Sequence, residues 1–255
     1  MAPFNTHFLI AEHVWSDLNG PWQNEYGSFC FGCVAPDVDK ISTTLTQKDT
    51  HFFDRSGDYE LMVTHRSATF LAQQDQLLGG RFIDLSPSEQ AFVLGYLCHL
   101  AVDEVSKHLW RREGTWDRFH DVSIGSAFAA IDEQARQMTQ NYPRIVAEIC
   151  AISPPTVLTH VSPADLTAMF DGICLFARAT DTKAEYLALL KAFWHIATPK
   201  KRQQKTAQFQ IEIKAAREQI HYLQLDRLVA LSVNHSHQRL QALIKGKPIA
   251  VGYPF

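Results

Sequence analysis

The chain has 255 residues, of which 46% are hydrophobic and 20% are charged. This is the composition of an ordinary globular protein, and it excludes a disordered or collagen-like chain. The formal charge of −3, from 24 basic and 27 acidic residues, provides no electrostatic basis for binding duplex nucleic acid.

The N-terminal segment gives no sign of export. Residues 1–7 lack the basic region and the long apolar run of a secretory signal. The longest apolar stretch, Ala91–Val102, has 12 residues and is too short to cross a bilayer. We therefore expect a cytoplasmic protein without a transmembrane segment.

Five cysteines are few for a disulfide-dependent fold of this length, and an odd number cannot all pair within the chain. Cys30 and Cys33 form a lone C-x-x-C pair. No βαβ pattern lies beside it, and no second cysteine or histidine pair completes a zinc knuckle. The pair therefore predicts small buried thiols.

The spacing of apolar residues predicts helices along the chain, because strand and hairpin signals are sparse. In chain order the predicted helices are His7–Leu18, Ser56–Leu78 up to Gly79-Gly80, one that begins after Ser86 and continues through Val102, Gly125–Met138, Ser162–Arg178, Thr182–Ile196 and Thr206–Ile244. The helix after Ser86 begins with a capping box formed with Glu89, and Thr182 with Glu185 has the same pattern. Because the first of these two is apolar on nearly every side, it should be central and buried.

His99 and Asp103 lie four residues apart in the central helix, which puts both side chains on one face. An ionised aspartate among apolar residues is costly unless it is paired or bound to a metal. Taken alone, the pair fits either a hydrogen-bonded couple in the core or part of a metal site.

Three further polar residues have apolar neighbours in the sequence. They are His7 on the first helix, Asp37 directly after Pro36, and His51 beside Phe52. Helical bundles build metal sites from inward side chains on facing helices. Nitrogen and oxygen ligands without thiolate suit zinc, manganese or iron, so these residues indicate a site for such an ion.

The segments that carry these residues resemble the zinc-dependent phospholipase C family, whose superfamily includes the fungal single-strand-specific nucleases. The resemblance covers about the first 110 residues. Its most specific part is the helix segment Gly95–Asp103, which is similar to the family pattern G-[YF]-L-x-H-x-x-x-D. In chain order the similar segments are Thr6-His7, Ala35-Pro36-Asp37, Thr50-His51-Phe52-Phe53-Asp54 and Gly95–Asp103.

The resemblance implies an all-α, multi-helix bundle of the phospholipase C and nuclease type, with a polar cleft for one to three zinc ions. By position, one ion would be bound by Asp37, His51, His99 and Asp103. Asp103 would bridge to a second ion held by His7. Asp37 would also act as the general base that activates water.

We expect one all-α domain over residues 1–255. Its metal-site half would be residues 1–150, with the ligands on a central buried helix. The helices of residues 151–255 would shape the pocket. The segment Ile152–Val161 is the best internal boundary, although it does not have the composition of a domain linker.

The third ion site departs from the family pattern. His108 is nine residues after His99, which turns it to the opposite face of an unbroken helix. His120 is the candidate for the later histidine, but Phe128 and Ala130 stand where acidic ligands are expected. We therefore expect the third site to be degraded or rebuilt.

Three functions are open on these residues. The first is a metal-dependent hydrolase of a phosphoester, either a phospholipid or a small phosphodiester. His65 is either a donor to the substrate or, as we favour, a plain hydrogen-bonded or surface histidine. The second is a metalloenzyme of the same fold that uses one or two ions for other chemistry on a small molecule. The third is a helical module whose ion only supports the fold. No glycine-rich phosphate loop or nucleophile elbow points to nucleotide-driven or serine-hydrolase chemistry.

Overall fold

The computed structural model of the protein describes residues 2–52, 66–193 and 198–247, and every regular element in these ranges is a helix. The α-helices are α1 (Phe4–Ser16), α2 (Tyr26–Gly32), α3 (Gln47–His51), α4 (Arg66–Leu77), α5 (Pro87–Lys107), α6 (Ile124–Met138), α7 (Tyr142–Ile149), α8 (Pro163–Ala177), α9 (Thr182–Ala192), α10 (Pro199–Gln219) and α11 (Leu225–Lys245). Short 3₁₀ helices lie at Ala35–Lys40, Phe82–Asp84, Trp116–Arg118 and Ile220–Leu223, and a π-helical turn lies at His108–Arg112. The all-α fold class is confirmed.

Helix α5 is the central element of the bundle, as predicted. Its capping box is present, since the Ser86 N–H donates to Glu89 Oε2 at 2.9 Å and the Glu89 N–H donates back to Ser86 Oγ at 3.4 Å. Every residue from Gln90 to Ser106 is buried, with α2 and α11 packed along the helix. Neither α5 nor any other described helix is long and apolar enough to cross a bilayer.

Helices α2 and α5 cross with their backbones in contact. A Cβ atom added at Gly95 would lie 2.1 Å from the carbonyl oxygen of Phe29, and one added at Gly32 would be equally crowded by α5, at 2.2 Å. This close approach places Cys33, at the end of α2, directly against the middle of α5. Cys30 and Cys33 are both buried free thiols, which confirms that prediction.

The single long helix predicted over Thr206–Ile244 is wrong. Helix α10 ends at Gln219, and α11 begins only after the 3₁₀ turn and a left-handed residue, Gln224, with φ 47°. The turn buries Leu223, whose carbonyl accepts a hydrogen bond from Trp110 Nε1 at 3.4 Å. Because this packing comes from a distant helix, the apolar periodicity of the segment does not report it.

Two other predicted helix ends can be compared with the structure. Of the helix predicted over Ser56–Leu78, residues 56–65 lie outside the described ranges, and the described part ends as predicted before Gly79, which has φ +64°. The capping box predicted at Thr182 is wrong. Asp181 caps α9 by accepting the Ala184 N–H at 2.8 Å, and Glu185 is buried instead.

Candidate metal centre

Five predicted ligands come together in one buried cluster. They are His7 from α1, Asp37 from the first 3₁₀ helix, His51 from the end of α3, and His99 and Asp103 from α5; none is more than 1% exposed. His51 Nε2 lies 3.2 Å from His99 Nε2 and 3.5 Å from Asp37 Oδ1. The same nitrogen lies 3.8 Å from Asp103 Oδ2.

Two overlapping sets of side chains in the described residues have the spacing of metal ligands. The Asp37 group is Asp37, His51 and His99, and the His7 group is His7, His99 and Asp103. Within each group the ligand atoms all lie within 4.8 Å of one another. Ligand atoms about 2.0–2.1 Å from a tetrahedral zinc ion are about 3.3 Å apart. The distances from His51 Nε2 to His99 Nε2 and to Asp37 Oδ1 are close to this value, so the Asp37 group has the spacing of zinc ligands.

Hydrogen bonds on the far sides of the His51 and His99 rings turn their Nε2 atoms toward the cluster. His99 Nδ1 lies 2.8 Å from the Cys33 carbonyl, which can only accept, so Nδ1 carries the proton and Nε2 keeps its lone pair. His51 Nδ1 pairs with Thr50 Oγ1 at 2.9 Å, and the Thr50 carbonyl accepts the Tyr96 hydroxyl at 2.6 Å. Metal-binding histidines are held in this way.

Several polar atoms of the cluster lack hydrogen-bond partners. Neither ring nitrogen of His7 has one, and neither does Asp37 Oδ1. The His7 ring stacks on His99 at 4.0 Å between centroids, with its Nε2 4.0 Å from Asp103 Oδ1. Because buried polar atoms without partners are rare, Asp37 Oδ1 fits a direct bond to a metal ion, and His7 is a ligand that a second ion would use.

The histidines of the cluster are neutral at ordinary pH. Burial lowers the pKa of His7 and His51, and it lowers the pKa of His99 to about 4. A neutral imidazole is the form that binds metals. The three rings are therefore ready to act as ligands without first releasing a proton.

The two carboxylates of the cluster are ionised because each has a cation beside it. Burial raises the pKa of Asp37, but the Lys40 ammonium 2.6 Å from Oδ2 and the nearby rings of His51 and His99 together hold that pKa well below its usual value. Burial likewise opposes the charge of Asp103, yet its pKa is lowered, in part by the Arg66 guanidinium 2.6 Å from Oδ2. Sequence reasoning missed both cations.

The sequence contains a local pattern that predicts the contact of Lys40 with Asp37, but it contains none that predicts the contact of Arg66 with Asp103. Lys40 follows Asp37 by one turn of a 3₁₀ helix, so their pairing follows from local spacing. Arg66 is 37 residues from Asp103, and only the packing of α4 on α5 brings them together. Asp39 was missed as well; burial and the neighbouring Asp37 charge raise its pKa to about 7.

The candidates for the third ion lie away from the cluster. His108 is partly buried in the π-helical turn, with its Nε2 3.7 Å from Glu113, and His120 is exposed, with its N–H bonded to Gln219 at 2.8 Å. Neither belongs to a metal-ligand group within the described residues. Phe53, Asp54 and His65 lie outside the described residues.

A second buried cluster holds the start of α1, the helix that carries His7. Asp132 Oδ1 accepts the Asn5 N–H at 2.6 Å. Glu185 Oε1 accepts from Asn5 Nδ2 at 3.0 Å and from Arg136 Nη1 at 2.9 Å. Burial raises the pKa of Asp132, and it raises the pKa of Glu185 to about 7.

The raised pKa of Glu185 predicts a pH-dependent stability. Between these pKa values the folded state keeps a proton on Glu185 that the unfolded chain, with a pKa near 4.5, has released. The contribution of this proton to the free energy of unfolding is therefore full below pH 4.5 and is lost as the pH rises to about 7. We expect it to reach about 3 kcal/mol. Urea unfolding at pH 5 and pH 7.5 should show a smaller pH difference for Glu185→Gln than for the wild type, and an equal difference would contradict the assignment.

In a comparison with protein families, residues 6–148 match the model described as zinc-dependent phospholipase C. No curated protein and no solved structure matches the chain. The matched range covers more than half of the chain and contains all five residues of the cluster, while α8 to α11 follow it. The chain therefore belongs to the zinc-dependent phospholipase C family.

Proposed function

We propose that the protein is a metal-dependent hydrolase of a phosphoester, either a phospholipid or a small phosphodiester. The family supports zinc-dependent hydrolysis in general terms. The observation that carries the proposal is the convergence of His51 Nε2 and His99 Nε2 with Asp37 Oδ1 in a buried cluster. Zinc is the proposed ion, and nitrogen and oxygen ligands also accept manganese or iron.

The residues of the cluster have separate roles in this proposal. The Asp37 group, with Asp103 beside it, would hold one ion, and the His7 group offers ligands on the other side of His99. When bound, zinc supplies Lewis-acid chemistry that withdraws charge from phosphate oxygens and acidifies nearby water. Asp37 Oδ1 would bind the ion while Lys40 holds Oδ2, and the Asp37 carboxylate is also the proposed base for the attacking water.

A small, mostly apolar cavity of about 80 Å³ is lined in part by Lys40. Lys40 Nζ is 2.6 Å from Asp37 Oδ2 and 5.1 Å from the centre of the Phe4 ring, so it links the cavity to the cluster. Because ligand pockets are usually several times larger, this cavity would take no more than one small apolar group of a phosphoester. The lining residues are Ala2, Pro3, Phe4, Lys40, Phe128, Asp132, Leu189 and Phe193.

A second candidate is a metalloenzyme with other chemistry on a small molecule. It is favoured by the position of His108 and His120, since the described residues offer no ligand group beyond the two that share His99. Without a third ion, one part of the expected clamp on a phosphate group is missing. This candidate predicts a bound ion and no turnover of phosphoesters.

The test measures metal and turnover on the same preparation. Protein purified without chelator is assayed for metal by plasma emission, and for hydrolysis of bis(p-nitrophenyl) phosphate and of phosphatidylcholine in mixed micelles, with duplex DNA as the control substrate. We expect zinc-dependent turnover of a phosphodiester, lost with dipicolinate, restored by zinc, and absent in Asp103→Ala.

The other outcomes separate the remaining functions. A bound metal without turnover of any phosphodiester or phosphomonoester would contradict the hydrolase and favour the second candidate. A metal that can be removed only by unfolding the protein would favour an ion that supports the fold. No metal at all would contradict the metal centre.

A further inference from the structure

The Asp103 carboxylate lies between the two ligand groups, with Oδ2 3.8 Å from His51 Nε2 and Oδ1 4.0 Å from His7 Nε2, and it already contacts a cation and a hydrogen-bond donor. Arg66 Nη1 lies 2.6 Å from Asp103 Oδ2, and the Ala2 N–H donates to Asp103 Oδ1 at 2.9 Å. Both oxygens of Asp103 therefore have donors from the protein itself. Asp37 differs from Asp103, because Lys40 contacts only its Oδ2 and its Oδ1 has no hydrogen-bond partner.

His99 can serve only one ion. Its Nδ1 donates to the Cys33 carbonyl at 2.8 Å, so Nε2 is its single ligand atom. The Asp37 group and the His7 group both need that atom. If the Asp37 group holds an ion, the described side chains of the His7 group leave a second ion with His7 and Asp103 alone, and Asp103 already pairs with Arg66.

A network of buried hydrogen bonds fixes Arg66 in this position. The next residue, Ser67, donates to Glu104 Oε1 through its N–H at 2.8 Å and its hydroxyl at 2.9 Å. Glu104 directly follows Asp103, so two neighbouring residues of α4 pair with two neighbouring residues of α5. His235 of α11 closes the network at 2.6 Å from Glu104 Oε2, and this helix lies beyond the family match.

We propose that Arg66 takes the place of a second divalent ion, so that the chain binds a single ion at the Asp37 group. This inference rests on the proposed metal centre. A guanidinium keeps its charge at all accessible pH values, and charges of the same sign repel strongly at short range in a buried site. The Arg66–Asp103 pair would thus satisfy the charge of Asp103, and a second ion beside His7 would be left without an anionic ligand.

The test counts zinc ions by calorimetric titration of metal-free protein, checked by plasma emission. We expect one ion in the wild type, two in Arg66→Gln, and one in the charge-retaining control Arg66→Lys. The second ion of Arg66→Gln should disappear in the double variant with His7→Gln, because that ion needs His7. The affinity of the wild type for a second ion should be at least about 100-fold weaker than that of Arg66→Gln.

Each other outcome overturns one specific claim. Two ions in the wild type, or one ion in a folded Arg66→Gln, would overturn the role of Arg66 while the metal centre stands. No ion in the wild type would overturn the metal centre itself. If circular dichroism shows that Arg66→Gln does not fold, the zinc count of His7→Gln is compared with that of the wild type instead. An unchanged count of one supports the proposal, and a fall from two to one overturns it.

Discussion

Replacing His99 with alanine is expected to empty the metal centre and abolish metal-dependent hydrolysis. His99 is the one residue that both ligand groups share, and its Nε2 lies 3.2 Å from His51 Nε2. Loss of groups that only orient a ligand costs about 10–100-fold in metal affinity, so loss of the ligand should cost more than about 100-fold. The smaller side chain also leaves a void in α5, which lowers stability without removing the helix.

The measurement is zinc content after dialysis against a fixed free zinc concentration, with far-ultraviolet circular dichroism as the test of folding. His108→Ala is the matched control, because His108 follows the same helix and lies outside both ligand groups. We expect His108→Ala to keep the zinc content of the wild type. Equal zinc in His99→Ala and the wild type would contradict the centre, and a loss in His108→Ala would return that residue to the ligand set.

The parts of the structure that could be predicted are those set by local sequence. The capping box at Ser86 and the unbroken apolar run after it predicted the central helix, because both depend on residues within one or two turns. His99 and Asp103 share a face for the same reason. The apolar neighbours of His7, Asp37 and His51 made them candidate ligands, but the family resemblance was needed to assign them to one site, since periodicity alone does not say which faces meet.

The parts that could not be predicted depend on contacts between distant segments. Glu104 is 131 residues from His235, and nothing near either residue marks their hydrogen bond. The Arg66–Asp103 pair and the break between α10 and α11 likewise follow from packing. The cytoplasmic location and the division into a metal-site half and a pocket half stay predictions.

The crossing of α2 and α5 connects the packing of the bundle to the metal centre. Gly95 lets the two backbones touch, and one turn further along α5, His99 Nδ1 meets the carbonyl of Cys33 at 2.8 Å. If the helices were held apart at Gly95, this hydrogen bond would lengthen, and His99 would lose the partner that fixes its proton on Nδ1. The glycine is therefore needed for the ligand geometry as well as for the fold.

Gly95→Ala is accordingly expected to destabilise the protein by about 3 kcal/mol or more, at the upper end of what overpacking costs. The added Cβ would lie 2.1 Å from the Phe29 carbonyl oxygen and 2.9 Å from the Cys33 nitrogen, and neither backbone atom can move without shifting a helix. Gly80→Ala is the matched control. A Cβ there meets nothing within 4 Å, so its effect should stay within about 0.5 kcal/mol.

Urea unfolding of metal-free protein measures the two stabilities, and zinc titration of the folded variants measures the consequence for the site. We expect Gly95→Ala to bind zinc about 10-fold more weakly than Gly80→Ala, because the Cys33 carbonyl orients His99 from outside the ligand set. Similar unfolding midpoints for the two variants would contradict the close crossing. A destabilised Gly95→Ala with unchanged zinc affinity would show that His99 keeps its orientation without the Cys33 carbonyl, and would separate the packing of α5 from its chemistry.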